Sequence, residues 1–136
     1  MERRNLRRWL CTLVLMMAMF FLTACSPDCL WHGRGETWID QNEDGVWDSD
    51  EPPLEGVEFT VRDTRRSLNY TYEEMFSTED GSVDLSVFTP GCATIRLEVY
   101  VDTPIGYQLT TEPRVHVSEQ GEVVRFGFVS VKDQNP

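Results

Sequence analysis

Between Asp40 and Glu51 the chain reads DQNEDGVWDSDE, with oxygen-bearing side chains at alternate positions. Counting Asp40 as position 1 places Asn42 at 3, Asp44 at 5, Gly45 at 6, Val46 at 7, Asp48 at 9 and Glu51 at 12. The spacing satisfies the calcium-loop pattern D-x-[DN]-x-[DN]-G-x5-E at every specified place. Calcium takes six to eight hard oxygens at about 2.3–2.6 Å, and alternate residues of a tight loop can aim theirs at one centre. Asp40, Asn42, Asp44 and Asp48 supply side-chain oxygens, Val46 its carbonyl, and Glu51 both carboxylate oxygens. Gly45 permits the sharp turn. The competing reading is a solvated acidic turn.

The flanks decide what such a loop joins. Pro52 and Pro53 come directly after it, so no helix can leave it. WID before it and LEGVEFTV after it read as strands. A helical EF-hand switch is excluded, and a single copy with Glu at position 12 also excludes a dockerin.

Beyond residue 25 the apolar pattern has period two. Expected strands cover Gly35–Ile39, the alternation Val57/Phe59/Val61, a weaker stretch from Ser67 to Phe76, and Val83/Leu85/Val87. Ile95/Leu97/Val99/Val101, Val115/Val117 and the run from Val123 to Val129 complete the set. About seven short strands with turns between them predict an all-β, Greek-key antiparallel sandwich. Trp38, Phe59, Leu85, Leu97, Val99, Phe126 and Phe128 are its expected core.

The N-terminus is organised differently. Arg3, Arg4, Arg7 and Arg8 precede an apolar run from Trp9 to Leu22, the order of a secretory signal, expected as an N-terminal signal helix. A retained anchor is the alternative. The run closes on Leu22-Thr23-Ala24-Cys25, which resembles the lipobox of bacterial prolipoproteins. That resemblance implies a signal peptide over 1–24, lipidation of Cys25, and attachment of the chain to a membrane of the bacterial cell envelope. The expected division is then a lipidated tether at 25–35, a sandwich at 36–131 and a tail at 132–136.

The whole chain has 12 Lys and Arg against 23 Asp and Glu, a net −11. Loss of four arginines and Glu2 with the signal leaves 8 against 22, or −14. So acidic a surface argues against a nucleic-acid partner. Cys29 and Cys92 remain in an exported chain and are expected to form a disulfide, the alternative being two buried thiols. For catalysis only His32 and His116 could act as imidazole bases. His32 falls in the tether and His116 on an outward strand position, so no enzyme is expected.

The run Trp38-Ile39-Asp40-x-Asn42-x-Asp44-Gly45-x-x-Asp48-x-x-Glu51-x-x-Leu54-x-Gly56-Val57 resembles the start of the B domain of serine-aspartate repeat surface proteins. Thr78 to Gly81 and Phe126-Gly127-Phe128 extend the resemblance. It implies a prealbumin-like or immunoglobulin-like sandwich stiffened by Ca2+, with Asp40, Asn42, Asp44, Val46, Asp48 and Glu51 as ligands. The implied role is a non-enzymatic surface module. Alternatives are an adhesin or glycan-binding module, with Trp31, Tyr70, Tyr72 and Tyr107 as candidate exposed aromatics, and a small accessory subunit of a membrane complex. The partner would be another surface protein or a glycan.

Overall fold

A computed structural model describes residues 28–72, 74–89 and 95–131. The signal segment, Cys25, Cys92 and the C-terminal tail lie outside the described residues. The described residues form eight strands, in chain order β1 (Cys29–Ile39), β2 (Phe59–Asp63), β3 (Leu68–Tyr70), β4 (Ser82–Thr89), β5 (Leu97–Val101), β6 (Tyr107–Leu109), β7 (Arg114–Val117) and β8 (Glu122–Ser130). They form two four-stranded sheets, β4-β1-β8-β6 and β3-β2-β5-β7. The sandwich is therefore all-β as expected. It carries one strand more than the seven counted from periodicity, because the three-residue β6 is too short to show alternation. It is also not wholly antiparallel: β1 runs parallel to β8, with Thr37 opposite Phe126, while its other neighbour β4 is antiparallel.

The expected tether at 25–35 requires correction. From Cys29 to Gly35 the chain is paired with β4, Cys29 opposite Thr89 and Gly35 opposite Val83. Gly33 and Gly35 make room for rings. A Cβ on Gly33 would overlap the Trp31 indole, and one on Gly35 the Phe59 ring. Trp31, expected among the exposed aromatics, is fully buried and donates from Nε1 to the Glu119 carbonyl at 2.7 Å. Among the described residues of the stretch Ser67–Phe76, strand is found at Leu68–Tyr70; Phe76 makes an isolated bridge to Glu58, and Met75 enters the core.

Alternation along the strands sets the core. Val83, Leu85 and Val87 of β4 point inward, and Ser82, Asp84, Ser86 and Phe88 point outward. Phe59 and Phe126 meet edge to face across the sandwich, with ring centroids 5.7 Å apart. Of the seven expected core residues, six join this cluster. Trp38 is equally buried, but it has the opposite parity to Trp31 and lies on the outer face of its sheet.

A tight turn before β4 braces the end of β1. Gly81 holds φ +75° in it, where a Cβ would run into the Thr37 carbonyl and approach the Pro53 Cβ at 2.8 Å. Gly81→Ala should therefore cost about 2–4 kcal/mol, combining left-handed backbone strain with a clash that only backbone movement relieves. Urea unfolding checks this, and an unchanged midpoint would refute it.

Asp63 and Asp80 close the turns after β2 and before β4. Burial raises the Asp63 pKa, but the Arg66 guanidinium at 2.9 Å and the Arg65 and Arg66 N–H groups outweigh it and hold the carboxyl below its ordinary value. Asp80 is drawn down to about 2 by the Thr78 hydroxyl and by the Ser82 hydroxyl and N–H. Both folded-state values lie below the unfolded 3.8. Their stabilisation is thus complete above about pH 4 and fades as pH falls toward 2. Acid melts should show this loss, and Asp80→Asn should flatten it; an identical slope in the variant would contradict the assignment.

Candidate metal centre

The acidic loop departs from β1 and returns alongside it. Ile39 N–H donates to the Pro52 carbonyl at 2.8 Å, Leu54 N–H to the Thr37 carbonyl at 3.0 Å, and Trp38 forms a bridge with Pro53. The connection is strand to strand, with no helix at either end. Its root is tied to β8 through Asp40 N–H to the Phe128 carbonyl at 2.8 Å. Trp47, inside the loop, stacks on Trp38 at a centroid distance of 5.7 Å and 7° between planes. The Trp47 Nε1 also donates to the Glu51 carbonyl at 3.1 Å. This indole pair explains why Trp38 is buried on an outward face: the loop folds down over it. Gly127, opposite Trp38 on β8, leaves space for the ring, since a Cβ there would lie 2.8 Å from it.

Every expected side-chain ligand takes part in the hydrogen bonding of this loop. Asp40 accepts from the N–H groups of Asp44 at 3.2 Å and Gly45 at 2.9 Å. Asn42 Oδ1 accepts from the same Asp44 N–H at 3.1 Å. The Asn42 amide nitrogen then bridges Asp44 at 3.1 Å and Asp48 at 3.2 Å. Glu51 spans the loop, one oxygen taking Gln41 N–H at 2.7 Å and the other Asp48 N–H at 3.1 Å. Val46 donates its N–H to Asp44 at 2.8 Å, and its side chain is exposed. Asp40, Asn42, Asp44 and Asp48 are thus drawn together, while Glu51 closes the loop's base. Among the described residues, no three His, Cys, Asp or Glu side chains stand as a metal-holding group in this arrangement. An amide –NH2 occupies the place between Asp44 and Asp48 where positive charge is most favoured.

The donor set is all oxygen, and its electrostatics suit a hard cation. Asp40 has no accessible surface. Burial pushes its pKa up, but the Thr110 hydroxyl and the backbone N–H groups of Gly45, Glu43 and Asp44 pull it below the ordinary value. The Thr110 oxygen faces this carboxylate outside strict hydrogen-bond geometry, and Trp38 Nε1 likewise has no partner. Both sit about 3 Å or less from the point a Gly127 Cβ would occupy, or are bonded to an atom that does. Asp40 is therefore an ionised, buried carboxylate. Among the described residues no Lys, Arg or His forms an ion pair with it, nor with Asp44, Asp48 or Glu51.

The other candidates are dispersed. Cys29 opens β1 and is disulfide-bonded; Cys92, its expected partner, and Cys25, the expected lipidation site, lie outside the described residues. His32 is on β1 rather than in a tether, 3.3 Å from Ser86 on the open face of the sheet. His116 is exposed, 3.9 Å from Glu98. Tyr72 is exposed, and Tyr70 and Tyr107 are half-buried against the core. Sequence reasoning missed an open cleft of about 430 Å3 lined by Glu36, Gly45, Val46, Trp47 and Arg125. The signal for it was Trp47, a large aromatic placed between two expected ligand positions.

Two packed sheets closed by β1 between β4 and β8, with a polar loop leaving one end, define a prealbumin-like sandwich. Residues 47–131 match the family model described as the SpaA prealbumin-like fold domain, and the chain belongs to that family. The match begins inside the acidic loop and leaves β1 outside. Among solved structures the chain is similar to GBS52, the minor pilin of the Gram-positive pathogen Streptococcus agalactiae, at 16% identity and a TM-score of 0.47. The likeness covers 79% of this chain and 46% of that one, so the chain spans about half the length of that relative. No curated protein matches.

Proposed function

We propose that this chain is a non-enzymatic surface module of the bacterial envelope, lipid-anchored at Cys25, whose acidic loop binds Ca2+ and so fixes the passage from β1 to β2. The observation that carries this reading is Asp40: a fully buried carboxylate, held ionised, without a cationic side chain beside it among the described residues. A buried charge left uncompensated is costly, and a divalent cation offsets it together with its neighbours. Asp40, Asn42, Asp44, Asp48 and Glu51 would hold the ion with the Val46 carbonyl. The cation would supply positive charge at the point now served by the Asn42 amide, letting the carboxylates approach one another. The resemblance of the loop and its flanks to serine-aspartate repeat B domains supports the same ligand set. Thermal melts of the chain lacking its first 24 residues, with calcium and with chelator, test the reading; coincident melts would refute it.

The cleft beside Trp47 favours one variant of this role, a module that also binds a glycan or protein segment there. Trp47 offers an aromatic surface, and Glu36 and Arg125, paired at 2.8 Å, offer hydrogen bonds.

The second staple is a Cys29–Cys92 disulfide. Cys29 pairs across β1 and β4 with Thr89, three residues before Cys92. Closing a loop of that length contributes about 4 kcal/mol in the chain-entropy model. Dithiothreitol should lower the melting temperature of the parent, and Cys92→Ser should abolish that sensitivity; a parent indifferent to reductant would refute the pairing.

A further inference from the structure

The register gives the sandwich two chemically different poles. At one, β1 ends at Ile39 opposite Phe128 and runs into the acidic loop. Asp102 N–H reaches the Glu58 carbonyl and Val131 N–H the Gly106 carbonyl at this same pole. At the other, β1 begins with Cys29 opposite Thr89, and β2 ends with Asp63 opposite Leu97. Leu97 pairs with Val117, from which a short turn leads to Glu122 opposite Gly33, so both sheets end together there. The loop pole gathers seven carboxylates between Asp40 and Glu55. The opposite pole is mixed: Arg65, Arg66 and Arg96 stand against Asp28, Asp63, Glu119 and Glu122, one carboxylate in excess.

The mixed pole also carries an apolar pair. Phe88 points outward at 67% exposure, and its cross-strand neighbour Leu30 stands beside it on the same face. Because β1 starts at Cys29, only four peptide steps separate this pole from Cys25. Fully extended, they span about 14 Å.

We infer that this pole is a membrane-apposed face, with Phe88 and Leu30 seated in the interfacial layer of the bilayer and the calcium loop held at the far end. The inference rests on membrane attachment at Cys25 as proposed above. The short leash brings the pole to the lipid surface, where an exposed aromatic and a leucine gain from burial at the headgroup boundary. Any anionic lipid repels the loop pole, with seven carboxylates, more strongly than the mixed one, with a single carboxylate in excess, which fixes the orientation. The domain then stands on the membrane directly, without a stalk.

The test uses the full chain, processed and lipidated in a bacterial membrane, purified in detergent and reconstituted into phosphatidylcholine vesicles with brominated acyl chains. Flotation reports attachment; tryptophan quenching reports the face. Phe88→Trp is compared with Ile105→Trp, a fully exposed position in the turn before β6 at the loop pole, after subtraction of the parent signal. The emission added by Phe88→Trp should fall roughly twofold against non-brominated vesicles, while that of Ile105→Trp should not change. Flotation with Phe88→Trp unquenched, or with both variants quenched alike, would overturn the inferred face and leave attachment standing. Loss of flotation would overturn attachment and the face together.

Discussion

Trp31→Ala is expected to lower stability by about 3–5 kcal/mol, the range for truncating a buried aromatic, and to lower the melting temperature by about 15–30 °C. The side chain has no exposed surface and packs under β4 within the main core. Its Nε1 hydrogen bond to the Glu119 carbonyl joins the first strand to the turn before the last, 88 residues apart. Truncation thus opens a cavity and leaves a carbonyl without its donor, two costs that add. Since small domains hold only about 5–15 kcal/mol, this one side chain accounts for a large share. Leu30→Ala, on the outer face of the same strand, should cost well under half as much. Calorimetry of both variants makes the comparison; a Trp31→Ala domain melting within a few degrees of the parent would return residues 29–35 to the status of a tether.

The contrast between Trp31 and Trp38 shows where the sequence was legible. Period-two alternation located β2, β4, β5 and β8, because each turns apolar side chains to the core and mostly polar ones to its other face, even where, as at Thr60 of β2 and Glu98 of β5, that other face is itself covered. It failed at the start of β1, where Leu30-Trp31-His32-Gly33-Arg34-Gly35 carries only one large inward side chain. Gly33 and Gly35 there serve close packing against Trp31 and Phe59. Whether a glycine serves freedom or proximity depends on its spatial neighbours, and those lie far along the chain. The burial of Trp38 was foreseen but its location was not, since the ring that covers it belongs to Trp47 in the loop. The strand-to-strand course of the loop was legible from Pro52 and Pro53 and the flanking strands, because those signals are local: Asp40 to Glu51 close on one another within twelve residues. The orphaned Thr110 and Trp38 atoms beside it could not be read from spacing, since their meeting is set by the pairing of β1 with β8 and the position of the segment after β6.

Calcium should raise the melting temperature by about 10–20 °C when present at roughly a hundred times its dissociation constant, the shift equivalent to about 2.7 kcal/mol of binding linkage. Asp44→Asn and Glu51→Gln should each remove most of that rise, for different reasons. Asp44 sits at the centre of the network, accepting from Val46 N–H and from the Asn42 amide, so neutralising it removes a charge from the middle of the proposed ligand set. Glu51 bonds Gln41 N–H and Asp48 N–H at the loop's base and would have to release both to face the ion, so its variant tests whether the loop closes on a cation. Both replacements keep size but turn one accepting oxygen into a donating –NH2, so each loses one of the two hydrogen bonds its carboxylate accepts. Without calcium, then, they should melt a few degrees below the parent, the loss offset in part by relieved carboxylate repulsion. Trp47, stacked on Trp38 and bonded to the Glu51 carbonyl, gives a second readout: its emission should change with calcium in the parent and stay constant in Glu51→Gln. A parent whose melting and emission are both unchanged at millimolar calcium would leave Asp40 a buried charge stabilised by backbone N–H groups alone, and the loop a hydrogen-bonded turn.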